Sequence, residues 1–210
     1  MLVINNILGN DFPDDNQIIK KGGFKFLNSK IIFRGKGGML EIGNNVNLSD
    51  CIIDIGNGAK VNIGDESQFR GEILVGVKSS VCIGKKVTVT NNLHMKIGEV
   101  TNIAIGDDCI IGSNVKMRTT DSHPIYDIRT KERLNKSASI RIGRHVWIAD
   151  DCLILKGADI GNGSIVASRS ILTRAYEKNS LIGGSPAKII KLGVTWERNP
   201  GDFTEEFYVS

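Results

Sequence analysis

The sequence predicts an all-β chain wound into a parallel β-helix, and a six-residue repeat is the first observation behind this prediction. From Ile142 to Leu172 every sixth residue is Ile, Val or Leu. This period fits neither an α-helix nor a simple strand alternation, but it is typical of short strands joined by tight corners. Two further observations agree: the 24 Gly suit corners that need permissive backbone angles, and the 6% aromatic content suits a narrow aliphatic interior.

The same repeat recurs earlier in the chain, where an Ile–Gly pair opens each round. The pairs begin at Ile42, Ile63, Ile83, Ile105, Ile142 and Ile160. Successive starts are 21, 20, 22, 37 and 18 residues apart. Three sides of six residues make one triangular coil, so the spacing predicts about six coils, with short insertions and one long inserted loop. Stacking the coils would bury an interior that no single repeat could bury alone.

These signals divide the chain into three parts. Residues 1–41 are predicted to form an N-terminal capping segment, and residues 42–173 to form the β-helix with an inserted loop at 118–139. Residues 174–210 are predicted to form a short C-terminal helix and a tail. The helix prediction covers AKIIKL, with Ser185 as N-cap, Pro186 in the first turn and Gly193 beyond the end.

Composition limits the class of protein. The net charge of +4 is too mild to indicate a nucleic-acid or membrane partner by itself. The N-terminus has no basic start and no long apolar run, so a cytoplasmic location is expected. The four Cys are scattered without metal-binding or disulfide spacing, which favours free thiols in a reducing compartment; they are Cys51, Cys82, Cys109 and Cys152.

His123 is the candidate general base. It lies in the long insertion, the one large interruption of a regular repeat, and such loops usually carry function. Pro124 restricts His123 to extended backbone angles, and an imidazole can accept a proton from a hydroxyl near neutral pH. A plain surface histidine is the alternative. Trp147 occupies an outward position, where a subunit contact and a ligand contact are equally good interpretations.

The segment from about Thr101 to Trp196 resembles the left-handed β-helix, hexapeptide-repeat acetyltransferases, and most closely the bacterial capsular polysaccharide (sialic acid) O-acetyltransferases. The matching motifs are Thr120–Tyr126, Ile142–Ile148, Ile154–Gly157, Gly183–Lys188 and Thr195–Trp196. The sequence departs from the family at Ala149, where Gly is usual, and its first hundred residues match only through the repeat.

The resemblance implies a left-handed coil, an acetyl-CoA-dependent O-acetyltransferase without a metal, and a sugar hydroxyl of a surface polysaccharide as acceptor. It implies that His123 is the general base, that the backbone near Asp150 stabilises the oxyanion, and that Trp147 flanks the pantetheine or the sugar. These three are the predicted catalytic residues, and Trp147 and Asp150 are also predicted to contact the acetyl donor.

The resemblance implies further binding residues and an assembly. Pantetheine would lie along Ser168, and CoA phosphates would meet Arg174, Lys188 and Lys191. Asn92 and Tyr126 are predicted to contact the acceptor. In this family three chains pack side by side, so a homotrimer with sites between subunits is expected.

Other functions remain as alternatives. An acetyltransferase acting on a different sugar or amino sugar would use the same residues. A γ-carbonic-anhydrase-like zinc enzyme needs three histidines on one metal, but the three in this sequence lie 29 and 22 residues apart with no evident pairing. A non-enzymatic β-helix would leave the basic insertion without a purpose.

Overall fold

The computed structural model describes residues 1–7 and 9–208, and it shows a chain wound into seven complete stacked coils followed by a partial one. The parallel β-helix predicted from the six-residue repeat is therefore confirmed. Almost all regular structure is β, since a single 3₁₀ turn, Glu205–Phe207, is the one helical element of the described chain.

The strands are short because each forms one side of a coil. In chain order they are β1 (Leu2–Ile4), β2 (Asp11–Phe12), β3 (Asn16–Lys20), β4 (Phe24–Leu27), β5 (Lys30–Phe33), β6 (Met39–Ile42), β7 (Val46–Ile55), β8 (Lys60–Ile63), β9 (Gln68–Val75), β10 (Ser80–Ile83), β11 (Thr88–Val89), β12 (Leu93–Ile97), β13 (Asn102–Ile105), β14 (Ile110–Ile111), β15 (Lys116–Arg118), β16 (Ile140–Ile142), β17 (Trp147–Ile148), β18 (Leu153–Leu155), β19 (Asp159–Ile160), β20 (Ile165–Val166), β21 (Ile171–Leu172), β22 (Ala175–Tyr176), β23 (Ser180–Gly184) and β24 (Ala187–Leu192).

Parallel pairing between successive coils creates three faces. Face 1 contains β3, β6, β8, β10, β13, β16, β19 and β22. Face 2 contains β4, the first halves of β7 and β9, then β11, β14, β17, β20 and β23; face 3 contains β5, the second halves of β7 and β9, then β12, β15, β18 and β21. Corner 1 joins face 1 to face 2, corner 2 joins face 2 to face 3, and corner 3 leads to the next coil.

The interior holds the residues that the repeat predicted. Each predicted inward position from Ile42 to Leu172 is at most 3% exposed, including the two methionines, Met95 and Met117. Because side chains alternate between the two sides of a strand, one register places all of them inside. The four cysteines are free thiols; Cys82 is exposed and the other three are buried.

The Ile–Gly pairs have a steric cause at corner 1. A Cβ at Gly64 would lie 2.6 Å from the carbonyl carbon of Gly84, and a Cβ at Gly106 would lie 2.7 Å from the backbone nitrogen of Arg144. Successive corners therefore stack too closely for any side chain at this position. The corner residue two places later often has a positive φ, as in Asp108 at +56° and His145 at +54°.

Stacking begins earlier than the sequence predicted. Residues 1–41 were expected to cap the helix, but β3 pairs in parallel with β6, and β4 and β5 pair in parallel with β7. This segment therefore contributes a full coil, and the count rises from six to seven. The repeat missed this coil because Lys20 occupies the register position of Ile42 in the next coil.

The predicted C-terminal helix is wrong. AKIIKL forms β24, which pairs antiparallel with β23 and closes the stack on face 2. The six residues have good helix propensity and a cap-like Ser185, but a segment this short gains more from a neighbouring strand's hydrogen bonds than from an isolated helical turn. The described residues include no helix long and apolar enough to cross a membrane.

Candidate active site

The inserted loop, residues 119–139, leaves the stack at corner 3 between β15 and β16. The coils continue in register on both sides of it: Ile103 pairs with Ile140 on face 1, and Met117 pairs with Ile154 on face 3. Within the loop, Tyr126 and Arg133 form an isolated antiparallel bridge. The predicted place of the insertion agrees with the structure, and the loop is an addition to a regular stack.

Asn135 is the main internal anchor of the loop. Its Nδ2 donates hydrogen bonds of 2.8 Å to the carbonyl oxygen of His123 and to Oδ2 of Asp121, and its Oδ1 accepts from the N–H of Ile125 at 2.7 Å. Asp121 is also paired with Nζ of Lys156, in the coil that follows the loop. These contacts surround His123 on both sides and fix its backbone to the stack.

A second anchor joins the loop to the coil before it. Glu99, at corner 3, accepts hydrogen bonds of 2.9 Å from Nη2 of Arg133 and from the hydroxyl of Ser137, and its Oε2 forms an ion pair with Nη1 of Arg133 at 2.8 Å. The hydrogen bond from Arg133 is the main cause, and that from Ser137 the second, of a pKa of Glu99 that lies below its usual value of 4.5. Glu99 and Asn135 were not identified from the sequence, because no periodic pattern connects a loop residue with its anchor.

His123 presents an exposed side chain from this anchored loop. The preceding Ser122 has a positive φ of +67°, and its hydroxyl accepts a hydrogen bond of 3.0 Å from Nζ of Lys96 on face 3. The His123 backbone is tied down, whereas its imidazole hydrogen-bonds to no other residue of the described chain. A fixed backbone and an uncommitted ring are what a proton acceptor for an incoming substrate requires.

Trp147 lies on face 2 with 40% of its surface exposed, as predicted for an outward position. Trp147 pairs with Ile110 of the preceding coil and with Ile165 of the following coil, and Ile165 pairs in turn with Leu181. These partly buried aliphatic residues leave an apolar strip on which the indole is the largest group. Such a strip can bind an apolar chain or a second subunit.

Asp150 stands at corner 2, immediately after the strand that carries Trp147. Its Oδ1 accepts a hydrogen bond of 2.6 Å from the N–H of Ser113, and its carbonyl oxygen accepts one of 3.0 Å from Arg169. No acceptor within the described residues receives the N–H of Asp150. Ser168 occupies the equivalent corner position one coil later, so this free donor and Ser168 lie on one edge of the molecule.

The two lysines predicted to meet CoA phosphates lie on β24. Lys188 is opposite Gly183 and Lys191 is opposite Leu181, and both lysines are exposed. The register shifts between these two pairs, at Leu181 and Ile182. The outermost strand of the stack, and not a helix, therefore carries both charges.

Arg174 lies near the start of the same strand. Its guanidinium carbon is 5.7 Å from the centre of the Tyr176 ring, and the Tyr176 hydroxyl donates a hydrogen bond to the carbonyl oxygen of Ala187. The end of the stack therefore carries three cations with no acidic partner within 4 Å among the described residues. Cationic side chains of this kind suit an anionic ligand.

The two predicted acceptor contacts lie apart. Asn92 has a φ of +51° at corner 2, and its Nδ2 donates a hydrogen bond of 2.9 Å to Asn114 in a ladder that continues to Asp151. Tyr126 lies in the inserted loop and is 56% exposed. The Asn92 amide is thus committed to the corner, whereas the Tyr126 ring is available to a ligand.

The structure groups the predicted residues on two edges of face 3. Trp147, Asp150 and Ser168 lie where face 3 begins, whereas His123 and Tyr126 lie where it ends. A single chain therefore does not bring the predicted base and the predicted oxyanion donor together. The histidines are equally dispersed: His94 pairs with Glu72 on face 3 and His145 is buried at corner 1, so the three do not form a common metal site.

The chain is similar in sequence to proteins of known function, although no family model matches it. A polysialic acid O-acetyltransferase of Neisseria meningitidis is 35% identical over 167 residues, which are 78% of this chain and 77% of that protein. A polysialic acid O-acetyltransferase of Escherichia coli O1:K1 / APEC is 33% identical over 138 residues, which are 66% of this chain but only 45% of that protein.

A solved structure shows the same architecture. The polySia specific acetyltransferase NeuO superposes with a TM-score of 0.84 at 30% sequence identity, covering 89% of this chain and 80% of that one. Both the sequence relationship and the fold extend beyond the repeat into the N-terminal coils. The chain therefore belongs to the polysialic acid O-acetyltransferases, a family of hexapeptide-repeat acetyltransferases.

Proposed function

We propose that the chain transfers an acetyl group from acetyl-CoA to a hydroxyl of a sialic-acid capsular polysaccharide. One observation carries the proposal: the imidazole of His123, with no hydrogen-bond partner among the described residues, stands on a loop that Asn135 holds internally and that Asp121 ties to Lys156 of the stack. The relatives named above are polysialic acid O-acetyltransferases, and the acceptor class follows from that relationship.

His123 acts as the general base in this proposal. It accepts the proton of the sugar hydroxyl while that oxygen attacks the thioester carbonyl carbon. The C–O bond forms, the C–S bond breaks, and the imidazolium returns the proton to the departing thiolate. A positioned base of this kind contributes roughly 10²–10⁴-fold to the rate.

The Asp150 N–H supplies the oxyanion donor. It is a backbone group held at a corner, with no acceptor among the described residues, so it needs no rearrangement to meet a developing negative charge. Trp147 precedes it on the adjoining strand and covers one side of the reacting groups.

The donor substrate fits the end of the stack. Its pantetheine arm follows corner 2 past Ser168, and its phosphates meet the cations of Lys188 and Lys191 on β24 and of Arg174 beside it. The charges are exposed and unpaired, as binding of a phosphate from solvent requires.

The active site is completed by a second copy of the chain. His123 and Asp150 lie at opposite edges of face 3, so a neighbouring subunit must bring its corner 2 against the loop of this one. We propose a homotrimer, the arrangement of the family that the sequence resembles, because a ring of three copies would satisfy all sites with a single repeated contact. The free thiols and the need for acetyl-CoA favour the cytoplasm as the site of the reaction.

The two proposed acceptor contacts, Tyr126 and Asn92, differ in how much of each side chain is free to bind a sugar. Tyr126 is exposed on the same loop as His123 and can pack against a sugar ring, whereas the amide of Asn92 can meet the acceptor only through groups that its corner ladder leaves free.

The test is release of free CoA thiol from acetyl-CoA in the presence of purified acceptors. We expect turnover with sialic-acid polymers and none with galactosides or amino sugars. Turnover with the last two but not with sialic-acid polymers would assign a different acceptor. Absence of turnover with every sugar would overturn the acetyltransferase proposal.

A further inference from the structure

His145 connects the C-terminal tail to corner 1 of the sixth coil. Its side chain is 1% exposed, and its ring lies between those of Trp196 and Phe207. The centroid distances are 4.3 and 4.0 Å, and each pair of rings is within 8° of parallel. Such a sandwich buries a polar ring completely, so its hydrogen bonds decide whether it is stable.

Both ring nitrogens of His145 face acceptors. Nε2 is 2.7 Å from the carbonyl oxygen of Trp196, which can only accept, so Nε2 carries a hydrogen. Nδ1 is 2.6 Å from Oδ2 of Asp108, whose other oxygen accepts from Nε of Arg198 at 2.8 Å. A proton on each nitrogen would let the ring donate to both acceptors while it lies between two aromatic rings.

Further hydrogen bonds, in both directions, join the tail to the coils. Nε1 of Trp196 donates a hydrogen bond of 2.9 Å to the carbonyl oxygen of His145, and Arg198 donates another of 2.9 Å to that of Lys86. Asn179 donates to the carbonyl oxygen of Phe207 at 2.8 Å. His145, Asp108, Trp196 and Arg198 are called the tail latch below.

The tail latch reaches the proposed active site through one ring contact. The centroid of Trp196 is 6.4 Å from that of Trp147, with the rings tilted at 54°. Trp147 also follows His145 by two residues on the same coil. With 40% of its surface exposed, Trp147 relies on this buried neighbour to restrict its rotamers.

We propose that His145 is a positioning residue, which latches the C-terminal tail so that Trp196 holds Trp147 in its working orientation. The inference rests on the proposed function only in placing Trp147 at the reaction. Beside the latch, Arg144 and Glu206 pair with each other at 3.1 Å, and Asp108 is the carboxylate that meets the ring.

The first experiment reads the latch without any activity. The chain has two tryptophans, so the emission of Trp147 is obtained by subtracting the spectrum of the matching Trp147→Phe protein, with excitation where tyrosine does not absorb. We expect His145→Gln, and to a smaller extent Asp108→Asn, to move Trp147 emission to longer wavelength and to increase its quenching by acrylamide. His94→Gln is the matched control, because His94 also pairs with a carboxylate, at 2.9 Å, but away from the tail. Unchanged emission in both latch variants would overturn the proposal.

The second experiment is a double-mutant cycle on acetyl transfer to the polymer. We expect His145→Gln and Trp196→Ala each to lower kcat/KM about tenfold or more, since small misplacements at a reacting centre have large effects. In a Trp147→Ala background the same changes should have less than a twofold effect, because they act through the missing ring. Undiminished losses in that background would show that the tail acts by general destabilisation. If the wild-type protein transfers no acetyl group, the proposed function fails while the fluorescence result stands.

Discussion

Nζ of Lys156 lies 2.5 Å from Oδ2 of Asp121 and ties the inserted loop to the coil that follows it. The same oxygen accepts the hydrogen bond from Asn135. The hydrogen bond from Lys156, followed by that from Asn135, holds the pKa of Asp121 below its usual value of 3.8. One carboxylate thus connects the stack, the loop and, through Asn135, the backbone of His123.

Asn135→Ala removes both donors and the acceptor that hold the loop around His123. We expect kcat for acetyl transfer to fall at least about tenfold, because misplacing a catalytic group by 1 Å can reduce the rate roughly a hundredfold. The melting temperature should change little, because the loop lies outside the stacked core. Asn28→Ala is the control: Asn28 also donates one side-chain hydrogen bond, to Asp50 at 2.7 Å, but at a distant corner. Equal losses of activity in the two variants would contradict the anchoring role.

His123→Ala is expected to leave folding and assembly intact and to lower kcat by about 10²-fold or more, the contribution of a positioned general base. Thiol release at saturating substrates measures kcat, and size-exclusion chromatography checks the assembly. His94→Ala should keep near-normal turnover. A His123 variant that retains more than about a tenth of wild-type kcat would exclude this residue as the base.

Lys188→Ala and Arg174→Ala should raise KM for acetyl-CoA more than they lower kcat. Phosphate contacts far from the reacting carbonyl bind ground state and transition state alike, which changes KM and leaves the chemical step intact. Initial rates over a range of acetyl-CoA concentrations provide the measurement. A lower kcat at unchanged KM would place these cations elsewhere in the mechanism.

Glu99→Gln tests the second anchor through its pH dependence. The pKa of Glu99 is lowered by Arg133, so its charged form stabilises the fold above the ordinary value of 4.5, and this stabilisation is lost as pH falls through the lower folded value. We expect a small reduction of the melting temperature at neutral pH, because the ion pair is on the surface, and a difference from wild type that closes in acid. Glu132→Gln, in the loop that Glu99 anchors but with no side-chain hydrogen bond within the described chain, should show no such trend.

Between Arg118 and Arg144 the sequence has seven Lys or Arg against three Asp or Glu, but only four of the seven basic residues lie within the inserted loop, residues 119–139. The structure commits Arg133 to Glu99, which leaves Arg129, Lys131 and Lys136 as exposed charges of the loop. We expect their replacement by Gln to raise KM for an acidic polymer at low salt.

That effect should disappear near 1 M salt, because the Debye length falls from about 10 Å at 0.1 M to about 3 Å. Lys25→Gln, on an early coil, serves as the control. A salt-independent effect of the loop substitutions would mean that their charges do not attract the acceptor.

The interior of the fold could be predicted from the sequence, whereas its two ends could not. Every inward position that the repeat predicts holds Ile, Val, Leu, Phe or Met. Counting along the repeat is therefore enough to predict which residues are buried. At the N-terminal coil Lys20 breaks the count, and at the C-terminal end pairing with β23 overrides the helix propensity of AKIIKL. Both failures occur where a neighbour, and not the segment itself, determines the structure.

The site could be predicted only in part for a similar reason. His123 and Trp147 were identifiable from their positions relative to the repeat. Asn135 lies 12 residues from His123, and Glu99 lies 34 residues from Arg133. Both contacts involve the irregular inserted loop, which carries no periodic signal. Likewise, nothing in the pattern indicated that His145 would lie between two rings from a tail about fifty residues later.

The undisturbed register on either side of the inserted loop affects how the chain can fold and diverge. Paired strands on face 1 are 16 to 22 residues apart elsewhere, as in Asp159–Ala175 and Ser80–Asn102, but 37 apart at Ile103–Ile140. Closing this longer segment adds only about 0.5 kcal/mol of chain entropy, because each doubling of loop length adds about 0.6 kcal/mol. Coils can therefore nucleate on either side and join late. The segment that carries His123 is free to lengthen, shorten or change composition over generations while the scaffold continues to assemble.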